Sequence, residues 1–140
     1  MKAKIIPLDP KNIKHIELKE EFEKKDYYTP IGTIKLEETP MNDFSMELLL
    51  EENKEIKDIC HIQGFNDMKQ CFISLVFKNK KKRKIIPLAT NYAMDVLGMK
   101  EVFIKISPND MNMIKYLQDY SYECLGEEKG NVIFLKEKDD

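Results

Sequence analysis

Seven consecutive residues, Lys78-Asn79-Lys80-Lys81-Lys82-Arg83-Lys84, carry six positive charges and separate two apolar segments of different period. Before them, Cys71 to Phe77 is a near-continuous apolar run, the pattern of a central strand buried on both faces. After them, Ile85, Ile86, Ala89, Tyr92, Ala93, Val96 and Leu97 recur at helical spacing, and Gly98 is well placed to end the helix. A strand, a basic loop and a helix in this order put the loop's charges and the helix's free N–H groups around one anion. The plainer reading is a solvated loop, in a chain that uses lysine heavily throughout.

The flanking segments predict a mixed α/β domain. Lys2 to Leu8 is β-rich, and Asp9-Pro10 has the form of a helix cap followed by proline at the first helical position. Ile13, Ile16 and Phe22 mark a sparse apolar stripe on a first helix running to about Lys24. Asp26 to Phe44, with Pro30 and Pro40, reads as loop with a short extended piece at Ile31 to Ile34, a region suited to lining a substrate cleft. Met46, Leu48 and Leu50 alternate up to a turn at Glu52-Asn53-Lys54. Ile56, Asp58, Cys60 and Ile62 follow on one face and Ile59 on the other, with a second turn at Gln63 to Asp67. Three sequential antiparallel strands are therefore expected. Val102 to Ile106 is a β-branched strand. Ser107-Pro108-Asn109-Asp110 opens a helix with Met113, Ile114, Leu117 and Tyr120 toward the core, and Tyr122 to Leu125 with Asn131 to Leu135 forms a closing hairpin.

At 140 residues, 42% hydrophobic and 34% charged, the chain suits one globular domain, residues 1–140. Its apolar runs are too short to cross a bilayer, and its N-terminal stretch is too short for a signal-peptide core, so a cytoplasmic location and no membrane partner are expected. A net charge of −2 makes nucleic acid an unfavoured partner, and no aromatic residues are interleaved with the lysines for base stacking. Three scattered cysteines (Cys60, Cys71, Cys124) form no disulfide framework, and His15 and His61 supply no zinc spacing. Cys60 and His61 read as ordinary strand neighbours pointing to opposite faces. The methionines and tyrosines read as packing residues.

The second half is similar to the GNAT superfamily of N-acetyltransferases, in particular the branch that modifies ribosomal-protein N-termini. Tyr92-Ala93-Met94-Asp95-Val96-Leu97-Gly98-Met99 resembles the end of that family's cofactor helix, Val102 to Ile106 the strand after it, and Pro108 to Tyr122 aligns to its next motif without gaps. The resemblance covers about residues 46 to 136. It implies an acyl-CoA N-acyltransferase-like fold: a mixed, mostly antiparallel central sheet flanked by helices, splayed between its fourth and fifth strands. Acetyl-CoA would lie in that V as co-substrate. Its pantetheine would hydrogen-bond to main chain at about Leu75, Val76 and Phe77, and its phosphates would rest on Lys78, Lys80, Lys81, Lys82, Arg83 and Lys84, with Asp110 nearby at the next helix. An amine, either a small molecule or a protein N-terminus, would attack the thioester directly, which requires no nucleophilic side chain. A homodimer is a further expectation, since dimers are common in the family.

The chain departs from the family at several positions. No glycine occurs between Gly64 and Gly98, where the family's phosphate turn is glycine-rich. Pro87 requires the helix to start near Ile86 or to kink. Asp110 stands for an asparagine, Leu117 for a general-acid tyrosine and Asp58 for a glycine, so no catalytic residue carries over. By position, Gln70 and Glu47 are the candidate proton acceptors through water. The alternative is a catalytically inactive binding or regulatory module on the same fold, and a third reading is an unrelated α/β domain with a solvated loop.

Overall fold

The computed structural model describes residues 3–24, 43–76, 85–106, 108–109, 111–128 and 130–139. Phe77, Lys78 and Lys80 to Lys84, the expected phosphate loop, and Asp110 lie outside these, as do the side chains of Leu75 and Val76. Among the described residues, no helix is long and apolar enough to cross a membrane.

Strands β2 (Phe44–Glu52) and β3 (Glu55–Phe65) form a hairpin across Asn53 and Lys54. Both turn residues have positive φ, 57° and 65°, the backbone of a turn whose twist matches the strands it joins. The ladder then skips a residue. Glu51 faces Ile56, but Leu50 faces Asp58, so Lys57 is an unpaired bulge. Alternation reverses there. Ile56 therefore packs with Leu49 and Ile59, together with Ile6 and Leu8, rather than with Asp58, Cys60 and Ile62 as strict alternation predicts.

Strand β1 (Lys4–Pro7) pairs antiparallel with β2, and β4 (Gln70–Val76) pairs antiparallel with β3. The second turn falls later than expected, because Gln63, Gly64 and Phe65 stay in β3. Gly64 explains this. It lies between Phe44 and Cys71 in the ladders, and a Cβ there would sit 2.5 Å from the Gln70 carbonyl oxygen and 2.8 Å from both Cys71 Cβ and Phe44 Cζ. Its role is close approach, not turn geometry.

Helix α2 (Ile85–Asp95) carries the chain to β5 (Glu101–Ile106), then α3 (Met111–Asp119), β6 (Glu123–Glu128) and β7 (Asn131–Glu137) follow. The helix starts at Ile85 and holds Pro87 in its first turn, where backbone N–H groups have no intrahelical acceptor, so the ring removes no bond. It ends two residues before Leu97. Gly98, at φ 77°, turns the chain so that Met99 N–H donates to the Ala93 carbonyl at 3.0 Å. The sheet order is β1-β2-β3-β4-β5-β7-β6, and every adjacent pair is antiparallel except β4 with β5.

One face of this sheet buries Leu48, Cys60, Ile62, Cys71, Ile73, Val102, Ile104, Ile106 and Phe134 beneath α2 (Ile85, Ile86, Ala89, Ala93) and α3 (Met113, Leu117). Tyr120, expected in that core, is exposed and stacks on Tyr116 with centroids 4.7 Å apart. Thr90 of α2 bonds back to the Ile86 carbonyl at 2.8 Å and across to the Tyr122 hydroxyl, pinning α2 to the start of β6.

Helix α1 (Ile13–Lys24) has a different cap and a different buried edge from those expected. Asn12 is the cap, its side-chain oxygen accepting from His15 N–H at 3.3 Å, while Asp9 closes a turn just before it through Lys11 N–H at 2.9 Å. His15, Leu18 and Lys19 are half-buried, whereas Ile13 and Ile16 are exposed. The helix is rotated by polar anchors: His15 accepts from Asp9 N–H at 3.1 Å and Lys19 pairs with Glu47 of β2 at 2.9 Å.

Gly64→Ala is expected to destabilise the fold by about 1–3 kcal/mol, because backbone and not a flexible side-chain end blocks the new methyl. Urea unfolding with an unchanged slope is the measurement; a change within error would show that β3 and β4 can separate at no cost.

Candidate functional site

Parallel pairing of β4 with β5 is confined to Gln70–Glu101, Cys71–Val102 and Phe72–Phe103. Beyond Phe72, β4 continues to Val76 and β5 continues from Phe103 to Ile106, yet among the described residues the two exchange no further ladder bonds. On its other edge β4 stays paired with β3 as far as Ile59–Val76. Among the described residues, its last four thus present a strand edge inside the sheet, with no strand on the β5 side. Such an edge accepts an extended ligand by main-chain hydrogen bonds. Leu75 and Val76 lie on this stretch, opposite Cys60 and Ile59. The first residue of α2 follows directly after Lys84.

The gap has two unlike sides. Beneath it lies the buried apolar core, with Cys71, Ile73, Val102 and Ile104. The opposite face carries Phe72 and Phe103, stacked with centroids 5.1 Å apart, and Gln70, whose amide donates to Glu101 Oε1 at 2.6 Å. These two contacts close the joined end. Gln70, a candidate proton acceptor from sequence, has its amide committed to this bond, and an amide is no base.

Farther across the same face, three side chains of β2 and β3 form a chain of contacts. Ser45 Oγ lies 3.0 Å from His61 Nε2, and His61 Nδ1 lies 3.4 Å from Glu47 Oε1, at the long end for a hydrogen bond. Lys19 Nζ reaches the same carboxylate oxygen at 2.9 Å. A carboxylate only accepts, so with neutral imidazole Nδ1 carries the hydrogen and Nε2 accepts from the Ser45 hydroxyl. Burial pushes the Glu47 carboxyl upward, but the Lys19 ammonium and His61 outweigh it and leave its pKa below the ordinary value. In the ladders Glu47 faces His61, and His61 faces Ser74 of β4, two residues past the last β4–β5 pair. His61 is therefore one strand spacing, about 4.8 Å at the backbone, from the free edge.

Neither Ser45 nor His61 was expected as a site residue. Serine and glutamate two apart on one strand, with histidine on the next, is a readable signal only when the register is known. The two core thiols contribute no nucleophile: burial holds Cys71 up at about 12 and pushes Cys60 up as well, so both stay protonated.

No family model matches the chain, and no curated protein is similar to it in sequence. Solved structures do match its fold. The N-acetyltransferase PseH of Campylobacter jejuni in complex with acetyl coenzyme A superposes with a TM-score of 0.71 at 15% identity, covering 99% of this chain and 100% of that one. The spermidine N-acetyltransferase SpeG of Vibrio cholerae, as an F149G mutant, gives 0.72 at 7% identity, covering 96% and 93%. At these identities the likeness concerns the fold, and it spans nearly the whole of each chain.

Glu47 lends stability through a depressed pKa. That contribution is full above its unfolded value of about 4.5 and is lost as pH falls through the lower folded value. Glu47→Gln should therefore lower the melting temperature at pH 7 and flatten its decline below about pH 4.5. Parallel melting curves for both proteins across that window would show the carboxylate to be uncoupled from folding.

Proposed function

We propose that this protein is an acetyl-CoA-dependent N-acetyltransferase, in which an amine attacks the thioester directly within a ternary complex. The observation that carries this reading is the parted β4–β5 pair. A pantetheine arm is an extended chain of amides, and the free edge at Ile73 to Val76 supplies the donors and acceptors of a missing strand. The fold match to a protein holding acetyl coenzyme A supports the choice of ligand. The six cations between Phe77 and Ile85 follow that edge in the chain and suit the phosphates, with ammonium charges in place of a glycine cradle.

The chain's own residues have limited work in such a reaction. Main chain of β4 holds the thioester at a fixed depth, and the apolar core beneath excludes water. The amine nitrogen forms the new C–N bond, the C–S bond breaks, and coenzyme A leaves as the thiolate. The amine loses a proton on the way. The acceptor is an amine, a small molecule or a protein N-terminus. SpeG acts on spermidine by its name, which makes a polyamine one amine to try. Kinship with the ribosomal-protein branch rests on the motifs at 92–99 and 108–122.

Acetyl-CoA is expected to raise the melting temperature by mass action, and Lys81→Ala/Lys82→Ala/Arg83→Ala to abolish the rise. Thiol release from acetyl-CoA should depend on added amine, tested with spermidine and with a short peptide bearing a free N-terminus. Binding without release for any amine would favour the inactive module. No thermal shift at millimolar acetyl-CoA would also favour the inactive module, which need not bind that ligand.

A further inference from the structure

We infer that His61 is the base of this site, receiving the amine's proton through the Ser45 hydroxyl while Glu47 holds the imidazole in the tautomer that can accept it. The inference rests on the acetyltransferase reading for its substrate, and on geometry for its residues. Three positions on neighbouring strands, Ser45 and Glu47 on β2 and His61 on β3, form a continuous donor–acceptor chain of 3.0 and 3.4 Å on the face opposite the core. Ser45 is exposed, so water reaches it, whereas His61 and Glu47 are half-buried beside it.

Proton flow balances along this chain. Water along this face carries the proton from the attacking nitrogen to Ser45 Oγ, which lies on the second strand from the free edge and level with Phe72 through Gln63, as the hydroxyl hydrogen moves to His61 Nε2. The imidazolium then rests against Glu47, whose charge is already present, and returns its proton to solvent after coenzyme A leaves. Glu47 is the poorer acceptor. Its Oε1 is shared between Lys19 Nζ and His61 Nδ1, and a carboxylate stabilised in that way gives up little by staying ionised. The charged groups around the imidazole, among the described residues, are Glu47 from β2 and, behind it, Lys19 from α1. In the ladder His61 pairs with Ser74 of β4, and Ile59 and Gln63 stand two residues either side of it on its own strand.

Two measurements test this. On the free protein, nitrogen NMR of labelled histidine should find His61 protonated at Nδ1 and bare at Nε2 in its neutral form, with the preference lost in Glu47→Leu, which offers no acceptor. The reverse tautomer would overturn the relay whatever the activity. In turnover, with thiol release followed for the faster of spermidine and the free-N-terminal peptide, His61→Gln should lower kcat by about 100-fold or more. It should also erase the acid limb of the pH profile and leave acetyl-CoA affinity unchanged by calorimetry. Ser45→Ala, at an exposed position, should lower kcat less and keep the limb. An unchanged profile in His61→Gln overturns the relay while the acetyltransferase reading stands, and an acetylated Ser45 in the mass spectrum overturns it in favour of a nucleophile. No thiol release by the unmodified protein removes the acetyltransferase reading, and with it the reaction His61 would serve.

Discussion

Three parallel residue pairs join β4 to β5, and the rest of the molecule is arranged around that short seam. It couples an antiparallel half, β1 to β4, to a second antiparallel half, β5 with β7 and β6. Parallel neighbours need a long crossover, and α2 supplies it. Its buried residues sit in one core with Ile62 and Ile73 from the first half and Val102 and Ile104 from the second. The magnitudes favour this design. Each ladder bond forgone at the gap is worth roughly 0.5–1.5 kcal/mol net. Each fully buried Ile or Val beneath it returns about 1.5–3 kcal/mol. Side-chain packing can therefore hold the two halves together where the backbone has let go, and the gap persists as an unfilled strand position.

Periodicity made the order of elements readable. The central strand at Cys71, the helix after the basic run and the closing hairpin were each predicted by runs of the right length bounded by turn residues. Readings failed where a single residue changes the phase. Lys57 is one such residue: nothing in its type announces a bulge, yet it sends Ile56 to the face opposite Cys60 and Ile62. Gly64 resembles a turn glycine and is instead a strand glycine, needed because Phe44, Gln70 and Cys71 crowd it from both sides. On α1 the apolar residues did not choose the buried edge, since Lys19 and His15 have partners on the sheet and its flank and Ile13 has none that an apolar stripe would predict.

The same bulge decides which β2 side chains His61 meets. Counting outward from the Asn53-Lys54 turn without it sets Glu47 against Cys60 and His61 against Met46. A one-residue slip turns every side chain over. In that false register His61 lies beneath the sheet with the core, where a histidine reads as structural. With Lys57 extruded, His61 comes up beside Glu47 and within reach of Ser45. The apolar run from Cys71 to Phe77 predicted β4 itself, whereas the naming of Leu75 and Val76 came from the family resemblance and not from run length.

That distinction also accounts for a fold matched over nearly its whole length at 7–15% identity. A ligand held as an added strand is recognised by peptide groups, which every residue type supplies, so Leu75 and Val76 are free to vary provided the strand stays extended and its neighbour stays away. What the proposed chemistry demands of side chains is confined to two places: the anion loop and the proton acceptor. Both are places where this chain has its own solution, six cations for a glycine cradle and an imidazole on β3 where the helix tyrosine position holds the buried Leu117. A chain that bound no extended ligand along this edge would be more stable with the gap filled by three further ladder pairs, so the parted strands speak for a bound chain of amides before they speak for any chemistry done on it.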